Sequence, residues 1–400
     1  MTGARLEQIV LDGGLCGWLA AIVLARHLEG TGIGVRVEEE PSHQAADALY
    51  AAGHDEVLPF LRQLGITERS LLAQCQAGYT LGVRVEGLHD MPLGGLGLDW
   101  EGTAFVSHLR HCRGLRSAVE VMRFSTGAVA MKEGRFAPLD QRNRIGTLQH
   151  GVGLHADPAK LRELFRDIAT AAGVNRQERL GSGMLRILTK PLRGVEAVLG
   201  RGRSVPYTAV SSGFDKVDVC LAEETVLSIH NPQMACVDAP WDEVSLRIGP
   251  AAMVAPMEVF GPWRFFLREL SWLIDLLPPT VAAPAEAREY GRLFRAARDE
   301  LTAMSRFLRG GEISEGVLFS KRGFLKPSDG QLFSPLDWTK AFLARDHVPR
   351  WTDPIAERAP KALIERELAR LEANVSAVAS AFPPYTQYLH AARQAAGART

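Results

Sequence analysis

The chain has 400 residues, 46% of them apolar and 23% charged, with 46 Lys plus Arg balanced by 46 Asp plus Glu. Such a composition supports a large core, in one big domain or two coupled ones, and excludes disorder by composition. The zero formal charge removes the usual electrostatic case for nucleic acid or an anionic membrane as partner, and no apolar run reaches the ~18 residues of a membrane-spanning helix.

The first fifty residues follow a β–turn–α–β order. Gln8 to Leu11 is an apolar strand, Asp12-Gly13-Gly14-Leu15-Cys16-Gly17 a glycine turn, Trp18 to Leu28 a helix, and Val35 to Val37 a second strand ending at Glu38-Glu39-Glu40-Pro41. Helices are predicted at Val57–Leu64, stopped by Gly65, and at Glu68–Gln76, followed by one strand over Tyr79–Glu86 and a glycine-rich loop over His89–Gly102. Asp157 as N-cap, Pro158 at the first position and Gly173 past the end mark another helix, with an apolar stripe of Leu161, Leu164, Phe165, Ile168 and Ala172. Further helices are predicted over Trp263–Leu276 and Glu286–Leu308. A loop-rich stretch punctuated by Pro327, Pro335, Pro349 and Pro354 comes next, then a helix from Pro360 to Ala381 and a short terminal one. Five scattered cysteines (Cys16, Cys75, Cys112, Cys220, Cys236) contain no CxxC, and the N-terminal stretch enters a strand without a signal-peptide layout. A reduced, cytoplasmic setting is the expectation.

The turn carries the first chemical signal. In a dinucleotide site the first glycine makes the tight turn, the second admits the pyrophosphate to backbone N–H groups, and the third lets helix and strand pack closely. Gly14 and Gly17 fill the second and third positions, with Gly13 between the strand and Gly14, while Asp12 stands at the first. An aspartate there adds negative charge where phosphate would sit. Glu39, at the end of the second strand, suits a ribose. A plain glycine turn between strand and helix is the alternative.

Several segments in order resemble the flavin-dependent tryptophan halogenases. They are the strand–Gly-Gly-x-x-Gly-Trp opening with Trp18, LPFLRQLGI (58–66), AGYTLGVRVEGL (77–88), the segment 151–174 with His155 and Asp157, AVSSGF (209–214), and 249–278. The resemblance implies an α/β fold: an FAD-binding, Rossmann-like three-layer region with a mixed sheet, plus a helical C-terminal part. It also implies a halogenase-like domain over 1–310, shortened between 214 and 249, and a mostly helical region over 311–400. FAD would sit on Gly13, Gly14, Gly17, Glu39 and Gly249. Glu258 would be the catalytic carboxylate, and the Phe260 and Gly261 amides would bind halide. A flavin reductase would supply reduced FAD, which with oxygen converts halide into hypohalous acid. A lysine would then present that oxidant to an indole or similar arene. A dimer is compatible with all of this.

The departures matter equally. Thr80 stands where the resemblance implies the lysine, and the first lysine in the chain is Lys132. A threonine hydroxyl carries no charge and forms no haloamine. Gly249-Pro250 replaces a Gly-Asp pair, and the Trp-x-Trp-x-Ile-Pro motif is absent. Three readings therefore stand: a halogenase acting on a small aromatic substrate, a catalytically degenerate member serving as a protein partner or regulatory subunit, and an FAD monooxygenase or reductase without halide chemistry. Free tryptophan is expected to stay unhalogenated. His108, His111 and Cys112 have metal-like spacing but no acidic or cysteine partner nearby in sequence, so no metal is expected.

Overall fold

The fold is that of a computed structural model, which describes all residues except 1–3, 40–43, 98, 100–102, 139–150, 176–182, 193–194, 222–223, 231–233, 243–244, 282, 324, 326–329 and 398–400. The predicted strand end at Glu40-Pro41, the end of the glycine-rich loop and Pro327 lie outside the described residues.

A parallel sheet forms around the N-terminal strand. β1 (Gln8–Asp12) is buried along its whole length and pairs with β2 (Gly34–Glu38), Gln8 opposite Gly34. Between them α1 (Leu15–His27) buries every residue from Leu15 to Leu24. It starts three residues before the predicted Trp18, because Gly14 takes a positive φ of 95° and turns the chain directly into the helix. Then come α2 (Gln44–Asp47), a 3₁₀ turn over Ala48–Tyr50, β3 (Ala52–Gly53), α3 (Val57–Gln63) and α4 (Glu68–Gln74).

The strand predicted over Tyr79–Glu86 is two strands in two sheets, β4 (Gly78–Thr80) and β5 (Gly82–Val85). Leu81 breaks the run. Its amide leaves both ladders to donate to the Pro206 carbonyl, and the Thr80 hydroxyl folds over to bond Gly82. β6 (Met91–Pro92) pairs with β5 inside the predicted glycine-rich loop. α5 (Phe105–Arg113), α6 (Ala118–Met122) and α7 (Thr126–Glu133) follow, then β7 (Gly153–His155), which joins β3 and β4 in a three-stranded antiparallel sheet. α8 (Pro158–Ala171) begins as predicted, with the Asp157 side chain accepting from the Ala159 and Lys160 amides.

β8 (Met184–Leu188) returns beside β1, and β9 (Glu196–Arg201), β10 (Thr208–Val210), β11 (Lys216–Cys220) and β12 (Thr225–His230) build a mixed six-stranded sheet in the order β6-β5-β10-β11-β12-β9. β13 (Ala235–Cys236), β14 (Ser245–Arg247) and β15 (Met253–Val254) follow, and β14 completes the parallel sheet β14-β8-β1-β2. The rest is helical: α9 (Gly261–Asp275), α10 (Pro284–Leu308), α11 (Ser314–Arg322), α12 (Pro335–Ala344), α13 (Pro354–Arg358), α14 (Lys361–Ala381) and α15 (Tyr385–Gly397). None of the described helices is long and apolar enough to cross a membrane.

Pro335 was expected to mark a loop, yet it opens α12. It stands at the first helical position, where a missing N–H costs nothing, behind a Ser334 N-cap that forms a capping box with Asp337. The helices after residue 310 share the main core: Phe319, Phe333, Trp338 and Phe342 lie in one apolar cluster with Leu11, Trp18 and Trp263. At the far end of the chain, the Tyr385 hydroxyl donates to the Tyr79 carbonyl (2.8 Å) and accepts from its amide (3.0 Å), closing the free edge of β4.

His155 joins two of the sheets. Its ring nitrogens lie 3.1 Å from the Cys220 carbonyl and 3.0 Å from the Thr208 hydroxyl. Full burial, only partly opposed by the Cys220 bond, pushes its pKa from 6.5 down to about 4. The unfolded chain therefore takes up this proton below pH 6.5, while the folded chain resists to about 4. The stability contributed by neutral His155 is present above that window and is lost as pH falls through it, by roughly 3 kcal/mol at ~1.4 kcal/mol per pH unit. Chemical denaturation between pH 7 and 4 should show this slope, and His155→Asn should flatten it.

Candidate functional site

The glycine turn has dinucleotide geometry. A Cβ on Gly17 would lie 1.9 Å from the Asp12 carbonyl oxygen, so α1 approaches β1 as closely as the third glycine of such a turn allows. A Cβ on Gly13 would lie 2.9 Å from the Glu39 Cα, so the turn also packs against the end of β2. Glu39 is exposed there and accepts from the Trp18 indole at 3.2 Å. Asp12 does not act as a bare charge in the turn: its Oδ2 accepts from the Thr189 amide at 3.1 Å, tying β1 to the end of β8. Removing it would cost that bond.

The competing charge is Asp47, which sequence reasoning missed. Its Oδ1 accepts from the Leu15 amide at 2.8 Å, the first residue of α1, and Arg162 lies 3.3 Å from Oδ2. This is the helix N-terminus where a cofactor diphosphate would bind. Burial outweighs the Leu15 and Arg162 contacts and pushes the Asp47 carboxyl up to about 7. Gly249 has a φ of 56°, and a Cβ there would lie 3.1 Å from the Cys16 sulfur and 3.2 Å from the Tyr50 hydroxyl. Its amide donates to buried Glu269 at 2.7 Å. The backbone frame therefore fits a flavin dinucleotide, with Asp47 occupying one of the donors it would need.

The second half of the site is more fully bonded than the resemblance implies. Phe260 (φ 53°) and Gly261 do form a tight turn before α9, but both amides are engaged within it, donating to the Met257 and Pro256 carbonyls. An ion at this turn would have to displace those bonds. Glu258 is fully buried, but not among apolar groups alone. Ser305 (2.9 Å) and Arg309 (2.9 Å) both reach its Oε1, and Arg309 also covers the Phe214 ring.

Glu258 and Phe260 line a small chamber of about 50 Å³ that also touches Leu93, Arg264, Phe333, Asp337 and Lys340. Those last five residues also line an outer cleft of about 810 Å³, whose apolar wall includes Phe60 and Leu267. That volume suits a drug-sized ligand. Lys340 thus stands in the wall between chamber and cleft, only 5% exposed, with Nζ donating to the Leu93 carbonyl at 2.6 Å. Burial and Arg264 lower its pKa; Asp337 and Asp55 oppose them. Arg264 on α9 and Asp337 on α12 form a buried ion pair at 2.8 Å.

Thr80 is fully buried, with its hydroxyl engaged by Gly82. A Cβ on Gly153 would lie 2.8 Å from the Thr80 Cγ2 and 2.9 Å from the Leu93 Cδ1, so both side chains pack around that glycine. Position 80 lacks an amine, but α12 brings one into the wall of the chamber that Glu258 lines. The signal was legible: Ser334, Pro335 and Asp337 start a helix, which puts Lys340 one turn after Asp337 on the same face. Among the described residues, no three His, Cys, Asp or Glu side chains come together as a metal ion requires.

A parallel sheet with a Gly-Gly-x-x-Gly turn, packed against a mixed sheet and a helical second half, is the fold of flavin-dependent halogenases. The family model described as Tryptophan halogenase matches residues 8–186. The structure is similar to BrvH, a flavin-dependent halogenase from Brevundimonas sp. BAL3, with a TM-score of 0.78, 17% identity and coverage of 97% of this chain and 99% of that one. It is also similar to Xcc4156, a flavin-dependent halogenase from Xanthomonas campestris, with a TM-score of 0.79, 18% identity and coverage of 97% and 98%. A third similar structure is Tar14, a tryptophan C-6 flavin-dependent halogenase from taromycin biosynthesis, with a TM-score of 0.79, 14% identity and coverage of 97% and 100%. No curated protein sequence matches the chain. Residues 8–186 thus match the tryptophan halogenase family model, and the fold shared with flavin-dependent halogenases continues through the rest of the chain.

Asp47 yields a test of the nucleotide turn. Asp47→Ala frees the Leu15 amide and removes a negative charge, so FAD binding followed by flavin fluorescence should tighten. Wild-type affinity should weaken as pH rises through about 7, where Asp47 ionises, and the variant should lack that dependence. Stability has the same sign: the folded value lies above the ordinary 3.8, so stability is lost as pH rises between the two.

Proposed function

We propose that the chain is a flavin-dependent halogenase-type enzyme acting on a small aromatic molecule held in the outer cleft. The observation that carries this reading is the chamber that Glu258 and Lys340 line together, with Lys340 also facing the cleft. Gly13, Gly14 and the start of α1 would hold the FAD diphosphate, Gly17 would allow the close turn, and Glu39 would meet the ribose. When bound and reduced by a separate flavin reductase, FAD would react with molecular oxygen and so supply the oxidising equivalent that turns halide into an electrophile. The residues of this chain do the rest. Phe60, Leu267 and Phe333 orient the arene and exclude water. Lys340 presents the electrophile to the ring, the role that the resemblance assigned to position 80. Glu258 stands behind Lys340 in the chamber, its carboxylate fixed by Arg309 and Ser305, as the acceptor on that side for the proton the ring loses.

Asp47 on the Leu15 amide favours a second reading, a degenerate member that keeps the fold as a protein partner. The two separate in one experiment. The chain is supplied with FAD, a flavin reductase, NADH, oxygen, bromide and a panel of indoles and phenols, and products are read by mass spectrometry. A bromoarene is expected from the wild type, falling ~10²–10⁴-fold in Lys340→Met and persisting in Thr80→Val. No product from a chain that binds FAD would leave the degenerate reading.

A further inference from the structure

Lys340 also invites a chemistry that needs no flavin. A buried amine is a nucleophile at neutral pH when its surroundings disfavour the ammonium form, and an adjacent cation strengthens the effect. Lys340 has both conditions: it is 5% exposed and shares its wall with Arg264. It faces an open cleft rather than solid core, and the Leu93 carbonyl accepts one of its N–H groups and so orients the nitrogen. Arg264 is itself buried, and among the described residues its Nε has no hydrogen-bond partner, leaving a donor at the same wall for a carbonyl oxygen. The charged groups around the amine are Arg264 from α9, Asp337 from its own helix, Asp55 ahead of α3, Glu258 with Arg309 on the chamber side, and Glu56 and Arg268 along the cleft. Asp337 is held at about 2: burial alone would raise it, but Arg264, Lys340 and Ser334 outweigh burial. Asp55 is likewise lowered against burial, chiefly by His54. Both therefore stand ionised beside the amine at neutral pH.

We propose that Lys340 captures carbonyl compounds, its Nζ condensing with an aldehyde or ketone seated against Phe60, Leu267 and Phe333 to form an imine. The nitrogen lone pair bonds the carbonyl carbon, and the carbonyl oxygen leaves as water with the two amine protons, so that R–NH2 and O=CHR′ give R–N=CHR′ and H2O. No oxidant or cofactor enters. The reading does not depend on halogenation, and the test omits flavin and halide, so either can fail without the other.

The folded chain is treated with benzaldehyde and sodium cyanoborohydride at pH 7, which reduces any imine to a benzylamine, and labelled peptides are mapped by mass spectrometry. Each pH unit by which an amine is made less basic exposes roughly ten times more of its neutral form. Lys340 should therefore label faster than each of the other seven lysines. Lys340→Arg, checked by circular dichroism, should lose label at that peptide alone. Labelling of Lys340 at or below the rate of the other lysines, or only after urea unfolding, overturns the proposal.

Discussion

The buried Arg264–Asp337 pair fixes the geometry on which the site depends. It joins α9, which follows the Glu258 turn, to α12, which carries Lys340, and both spaces of the site open against it. Removing one partner of such a pair leaves an uncompensated charge in low dielectric, typically a loss of several kcal/mol. Asp337 also accepts from the Ser334 amide and hydroxyl, so the same carboxylate that receives Arg264 starts the helix. Helix initiation, helix docking and the placement of the amine are therefore one event.

Much of the frame was legible. The β–turn–α–β opening, the Asp157-capped helix and the long helices near 265, 300 and 370 follow from apolar periodicity and capping chemistry, which are local. The turn at Leu81 was not, because a local alternation cannot reveal that the Leu81 amide bonds Pro206 in another part of the chain. α12 was missed for a different reason: Pro335 was weighed as a breaker although a serine before it and an aspartate two residues after it mark a helix start.

The site was less legible than the frame because position and function separated. Residue 80 carries no amine, but a lysine distant in sequence can still line the same chamber as Glu258. Lys340 does so from α12, held by the Leu93 carbonyl. Asp47 shows the same limit: no spacing rule links residue 47 to the amide of residue 15. The charged residues inside the apolar run of α9, Arg264 and Glu269, were the visible hint. Both are buried and both are anchored, one to Asp337 and the other to the Gly249 amide.

The contact between Tyr385 and Tyr79 spans 306 residues of sequence. Closing so long a loop is entropically costly before its contacts repay it, and folding rates fall as such distant pairings become more important. β4 should therefore gain its last edge partner late on the folding route. Until then the strand that ends at Thr80 presents unpaired N–H and C=O groups, the kind of edge on which incompletely folded chains associate. Refolding yield, more than equilibrium stability, should depend on that single tyrosine hydroxyl.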